Sequence, residues 1–109
     1  MVRVEFRKAD GLFCGFHAAG HAECGEPGED IVCAAISAVT QMTAEGIRKA
    51  ANVPTGVSRS DGDLYCTVDR DADRRQCEDA DLLMRSMEQA LRDIEKQYPK
   101  ALKINIREV

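Results

Sequence analysis

The sequence predicts an α+β domain: a two-layer sandwich with two helices on one face of a mixed sheet of four to five strands. Three observations carry this prediction. Short segments alternate apolar and polar residues, the period of a half-buried strand. Two longer segments repeat apolar residues at helical spacing. Their order is strand, strand, helix, strand (one or two), helix, strand. No repeat, low-complexity tract or linker interrupts the 109 residues, so 1–109 reads as a single domain.

Val2, Val4 and Phe6 alternate with Arg3, Glu5 and Arg7 in the first strand. Asp10-Gly11 is a hairpin signal. A second strand runs from Leu12 to about His21. Without a bulge, Leu12, Cys14 and Phe16 share one face, and His17 and His21 the other. Glu23 to Glu29 carries Gly25, Pro27 and Gly28 and reads as a loop. Asp30 is a suitable N-cap for the first helix. The stripe of that helix is Val32, Ala35, Ile36, Val39, Thr43, Ile47 and Ala50, and Asn52 and Pro54 end it. Val53 to Ser60 fits either a short strand or an irregular connection. After the turn Asp61-Gly62, Leu64, Cys66 and Val68 alternate as a strand. Asp69 to Arg75 is a charged, solvated approach to the second helix, from about Glu78 to Tyr98. Ala80, Leu83, Met84, Met87, Leu91, Ile94 and Tyr98 form its stripe, with the methionines as core filler. Pro99 stops it, and Leu102, Ile104 and Ile106 alternate in a closing strand.

Composition narrows the class. Apolar and charged fractions of 44% and 31% suit a folded soluble protein. No run approaches the roughly eighteen apolar residues of a membrane span. The alternating N-terminus is a strand and not a signal peptide, so a cytoplasmic location and no membrane association are expected. A net charge of −4 argues against direct nucleic-acid binding. It suits a basic protein partner, or simply solubility. Five cysteines, an odd number without any CxxC pair, argue for reduced thiols over a disulfide framework or a zinc ribbon. Cys14 and Cys66 are expected in the core, Cys24 in the loop, and Cys77 near the second helix start without evident role. His17, His21 and Cys24 or Cys33 would supply three zinc ligands. Their spacing suits a helix better than a strand, and no fourth ligand presents itself; no metal or cofactor is expected.

The chemistry points to His21 and Cys33. A cysteine is usually a small buried hydrophobe. Helix phase, at about 100° per residue, groups Cys33 with Ser37, Thr40 and Ala44 and away from Val32, Ile36 and Val39. It also stands in the first turn, where unpaired N–H groups and the helix dipole favour a thiolate. His21 can take the thiol proton and return it to a leaving amine. Asp30 could cap the helix or orient His21; Ser37 could bond within the site or back to a helix carbonyl. Gly20, Gly25 and Gly28 allow either a mobile loop or simple turns.

Gly20-His21-Ala22, Gly25, Gly28, Asp30-Ile31-Val32-Cys33-Ala34-Ala35 and Ser37-Ala38 together resemble the ribosomal-processing cysteine protease family, Prp. The order of elements over the whole domain is similar too. The resemblance implies a small cytoplasmic peptidase, typically a homodimer, with a glycine-containing mobile loop. Its substrate would be a large-subunit ribosomal protein with a cleavable N-terminal extension carrying aromatic residues before the cut. Cys33 matches the nucleophile and His21 the base; Asp30 and Ser37 match further family positions. Cys24 and Pro27 depart from the pattern, within the loop. Two alternatives remain at this level: a non-enzymatic module that binds a ribosomal protein, and a thiol redox protein using Cys33 with Cys24.

Overall fold

The computed structural model describes residues 1–20 and 29–109, without the side chains of Glu29 and Asp30. β1 (Val2–Ala9) and β2 (Leu12–Ala19) form a hairpin through Asp10-Gly11. Both turn residues have positive φ, +53° and +81°, as the tight turn of a right-twisted hairpin requires. α1 (Glu29–Glu45) follows, then one π-helical turn, Gly46–Ala50. β3 (Thr55–Ser60) and β4 (Asp63–Val68) form a second hairpin, α2 (Arg74–Gln97) crosses back, and β5 (Leu102–Glu108) closes the chain. The sheet order is β3-β4-β2-β1-β5. β5 runs parallel to β1, whereas every other pair is antiparallel, so the sheet is mixed and five-stranded, within the predicted class.

One sheet face carries Val4, Phe6, Phe16, Leu64, Cys66 and Leu102, all buried. They share one core with Ile36 and Ile47 from the α1 side and Met84, Met87 and Leu91 of α2. Phe6 stacks on Phe13 at 4.8 Å. Each large side chain buried there contributes about 2 kcal/mol, so the core determines which way both helices face.

Several expectations are corrected. A bulge interrupts β1–β2: Arg7 pairs with Gly15 and Lys8 with Phe13, leaving Cys14 as the extra residue. Phe13 therefore enters the core, and Cys14 is only half-buried, its thiol donating to the Arg7 carbonyl at 3.5 Å. β2 ends at Ala19, before His21. α1 begins at Glu29, so Asp30 lies inside the first turn and is not its cap. Thr40 and Ala44 are 3% and 1% exposed, so the buried stripe is rotated toward the side on which Cys33 stands. Burial of Thr40 is tolerated because its hydroxyl donates to the carbonyls of Ile36 and Ser37. Ala50, expected in that stripe, is exposed. The helix overruns into a π turn and stops where Asn52 adopts a left-handed φ of +54°.

Val53–Ser60 proves to be a buried anchor, Val53, followed by the strand β3. α2 starts four residues before Glu78, at Arg74, because Asp73 and Gln76 form a reciprocal capping box. It ends before Tyr98, which is 48% exposed, and Ile106 is exposed too.

Candidate functional site

Residues that are distant in sequence meet where three pieces end together. β2 finishes at Ala19, the β3–β4 turn lies beside it, and the first half of α1 stands above both. Strand order causes this: β4 pairs with β2, bringing Asp63 opposite Ala19. The Gly20 N–H then donates to the Gly62 carbonyl at 2.9 Å, tying the end of β2 to the turn.

Gly20 occupies a position that only glycine fills without strain. Its φ is +102°, and a Cβ there would stand 2.6 Å from the Met1 carbonyl oxygen. The backbone geometry there thus requires glycine at the strand end.

A cleft of about 480 Å³ opens between α1 and these strand ends. Val2, Ala18, Ile36 and Leu64 supply an apolar floor. Cys33, Ser37 and Gln41 line the helix side, and Arg59 to Asp63 the opposite side. Cys33 is half-buried, packed against the core on one side and bordering the cleft on the other. Its side chain is therefore accessible to a molecule in the cleft, as nucleophilic attack requires.

Ser37 borders the cleft one turn further along, and its hydroxyl accepts a hydrogen bond from Gln41 Nε2 at 2.7 Å. Two turns beyond that, Glu45 receives Lys49 at 2.9 Å and Arg59 at 2.8 Å. These bonds, from Lys49 first and then Arg59, hold its carboxyl below the usual carboxylate range. Arg59 thereby ties β3 to α1 at one end of the cleft.

The histidine inside β2 stands elsewhere. His17 lies between Phe16 and Ala18, both buried beneath the helices, so its side chain projects from the opposite sheet face. There its Nε2 lies 2.7 Å from Asp63 Oδ1, and its ring stacks on Tyr65 at 3.7 Å. The sheet thus separates His17 from Cys33. Among the described residues, no group of three His, Cys, Asp or Glu side chains could hold a metal ion. No described helix is long and apolar enough to cross a membrane.

Of the residues singled out in the sequence, Cys33, Ser37 and Gly20 meet at the cleft. His21, Gly25, Gly28, Cys24 and Pro27, and the side chain of Asp30, lie outside the described residues. Gln41, Arg59 and Asp61 were not anticipated. Gln41 was detectable as the residue one turn after Ser37; Arg59 and Asp61 needed the strand order.

No curated protein matches the sequence. The fold is similar to that of the ribosomal processing protease Prp from Staphylococcus aureus in complex with a substrate peptide. That match has a TM-score of 0.82 and 25% identity, over 98% of this chain and 100% of that one. It is equally similar to the same protease with a covalently linked product peptide, at TM-score 0.82 and 27% identity over the same shares. A Streptococcus mutans protein shares the fold at TM-score 0.79 and 22% identity, covering 100% of this chain and 96% of that one. The family model described as cysteine protease Prp matches residues 1–103, and the chain accordingly belongs to the Prp family of cysteine proteases.

Proposed function

We propose that this protease removes the N-terminal extension of a large-subunit ribosomal protein, with Cys33 as nucleophile and His21 as base. The observation that carries the reading is Cys33 itself, a half-buried cysteine near the start of α1 beside an apolar-floored cleft in a chain of this family. The S. aureus relative binds a substrate peptide, and a product peptide also becomes covalently linked to it, as an acyl-enzyme route would produce.

The Cys33 thiol gives its proton to His21, and the sulfur attacks the scissile carbonyl. Backbone N–H groups at the start of α1 stabilise the oxyanion. His21 passes the proton to the leaving amine, and the C–N bond breaks, leaving a thioester. Water, deprotonated by His21, then breaks the thioester, and the proton returns to the sulfur. Asp30 orients His21, and Ser37 contributes a hydroxyl beside the nucleophile. The apolar floor suits the aromatic residues that the family's substrates carry before the cut. Gly20, Gly25 and Gly28 are assigned to the family's glycine-containing loop. We read the protein as a cytoplasmic homodimer, one catalytic domain per chain, needing no cofactor, nucleic acid or membrane.

Incubation with the extended ribosomal protein should yield the shortened form by mass spectrometry. Cys33→Ala should bind that protein without shortening it, and wild-type turnover by Cys33→Ala would sink the mechanism. Binding without turnover by the wild type would leave a docking module instead.

A further inference from the structure

Building on the peptidase reading, we infer that the open edge of β3 receives the substrate backbone as an added strand, laid alongside the cleft-lining row of α1. β3 is an edge strand of the sheet. The two-residue turn makes Ser60 and Asp63 a hydrogen-bonded pair, and antiparallel pairs alternate from there. The N–H and C=O groups of Arg59, Val57 and Thr55 therefore point away from β4, toward the edge.

The end of this edge reaches the cleft, since Arg59 and Ser60 line it opposite Cys33, Ser37 and Gln41. Those three α1 residues are spaced four apart and form a row along one side of the helix. The next member of the row is Glu45, which receives Arg59 at 2.8 Å. The helix row and the Arg59–Ser60 end of the strand edge thus flank one trough, with the Arg59–Glu45 pair at its far end and Cys33 at the near end. From Cys33 to Glu45 the helix advances about 18 Å, the length of about five extended residues. An extended peptide matches a trough with one hydrogen-bonding wall, and strand addition is a general mode of peptide capture. It would also hold the scissile bond in register with the sulfur.

The probe is the substrate peptide crystallised with the S. aureus protease, in its native form and with single N-methyl groups along its backbone. Affinity is measured by fluorescence anisotropy against Cys33→Ala, so turnover does not intervene. Strand addition predicts losses of about tenfold at alternate residues and little change between them. Val57→Pro removes one outward N–H while leaving the β3–β4 ladder intact, as proline does at an edge. It should weaken binding about tenfold relative to Val57→Ala.

A flat or non-alternating N-methyl profile overturns strand addition. So does a Val57→Pro change in oligomeric state without loss of peptide affinity, which would assign the edge to a second copy. Wild-type cleavage of the native peptide with a flat profile overturns strand addition alone. Alternation without cleavage overturns the peptidase reading alone, and neither binding nor cleavage overturns both.

Discussion

The carboxylate of Asp81 accepts the backbone N–H of Phe13 at 2.8 Å, across 68 residues of sequence. Its other oxygen receives Arg85 Nε at 2.9 Å. Asp81 is buried, and Phe13 sits where the β1–β2 register breaks, so α2 is docked onto the bulge by a charged acceptor. Asp81→Ala leaves that N–H buried without its partner and should destabilise the fold by about 2–3 kcal/mol. Asp81→Asn keeps a carbonyl acceptor and should lose about half as much. Urea denaturation of the two variants provides the comparison, and equal losses would show that Arg85, not Phe13, is the partner that matters.

The same bulge marks the limit of what the sequence could tell. Both periodicities were strong enough to place four strands and two helices, because burial enforces them over many residues, while Val53–Ser60, mostly exposed in β3, stayed open. The faces within β2 were misassigned, because strict alternation has no place for an extra residue, and Cys14 was placed in the core instead of Phe13. Asp81 looks like any solvated acid on α2, since its partner is fixed only by tertiary packing. Helix phase separated Cys33 from the centre of the stripe, yet it also moved Thr40 outward, where hydroxyl bonding to the helix backbone allows full burial. Arg59 and Asp61 came to line the same cleft as Cys33 only through strand order, a long-range property without a local signature. Imidazole chemistry suggested His21 as the partner of Cys33, and the resemblance added the family pattern to that pairing.

Cys66 is fully buried on β4, and burial pushes its thiol up to about 11 from an ordinary 9.0. The folded state therefore holds this proton more tightly than the unfolded chain. The stabilisation is fully present below pH 9 and is lost as pH rises through the window to about 11. Over that window the wild type should lose about 2–3 kcal/mol through this group. Cys66→Ala is less stable at pH 8 because of its cavity, but the gap should narrow toward pH 11. Denaturation at a series of pH values measures the gap, and a constant difference would rule out the linkage.

Gly20 combines a φ of +102° with a Met1 carbonyl oxygen 2.6 Å from where a Cβ would stand. Gly20→Ala should cost about 2 kcal/mol, a Tm drop of roughly 10 °C. Because Gly20 also borders the cleft and is bonded to Gly62, the strain falls at the edge of the cleft. Cleavage measured well below the lowered Tm should fall several-fold more than the folded fraction explains. Loss of stability with unchanged activity per folded molecule would confine Gly20 to a structural role.

The two histidines of the chain should behave oppositely. His17 is engaged by Asp63 and Tyr65 on the sheet face away from α1, and its loss removes a stacked, half-exposed contact worth about 1 kcal/mol. His17→Ala should therefore cleave within about threefold of wild type once its stability is allowed for. His21 follows directly on Gly20 in the sequence and acts as the base in the proposed mechanism. His21→Ala should lower cleavage about 10³-fold, the usual contribution of a positioned proton-transfer group. It should also slow iodoacetamide modification of Cys33 near neutral pH, a readout that a change in folding would not produce in that direction, since unfolding exposes the thiol. If His17→Ala abolishes cleavage while His21→Ala cleaves normally, the base has been misassigned, and the sheet would have to open for His17 to reach the sulfur.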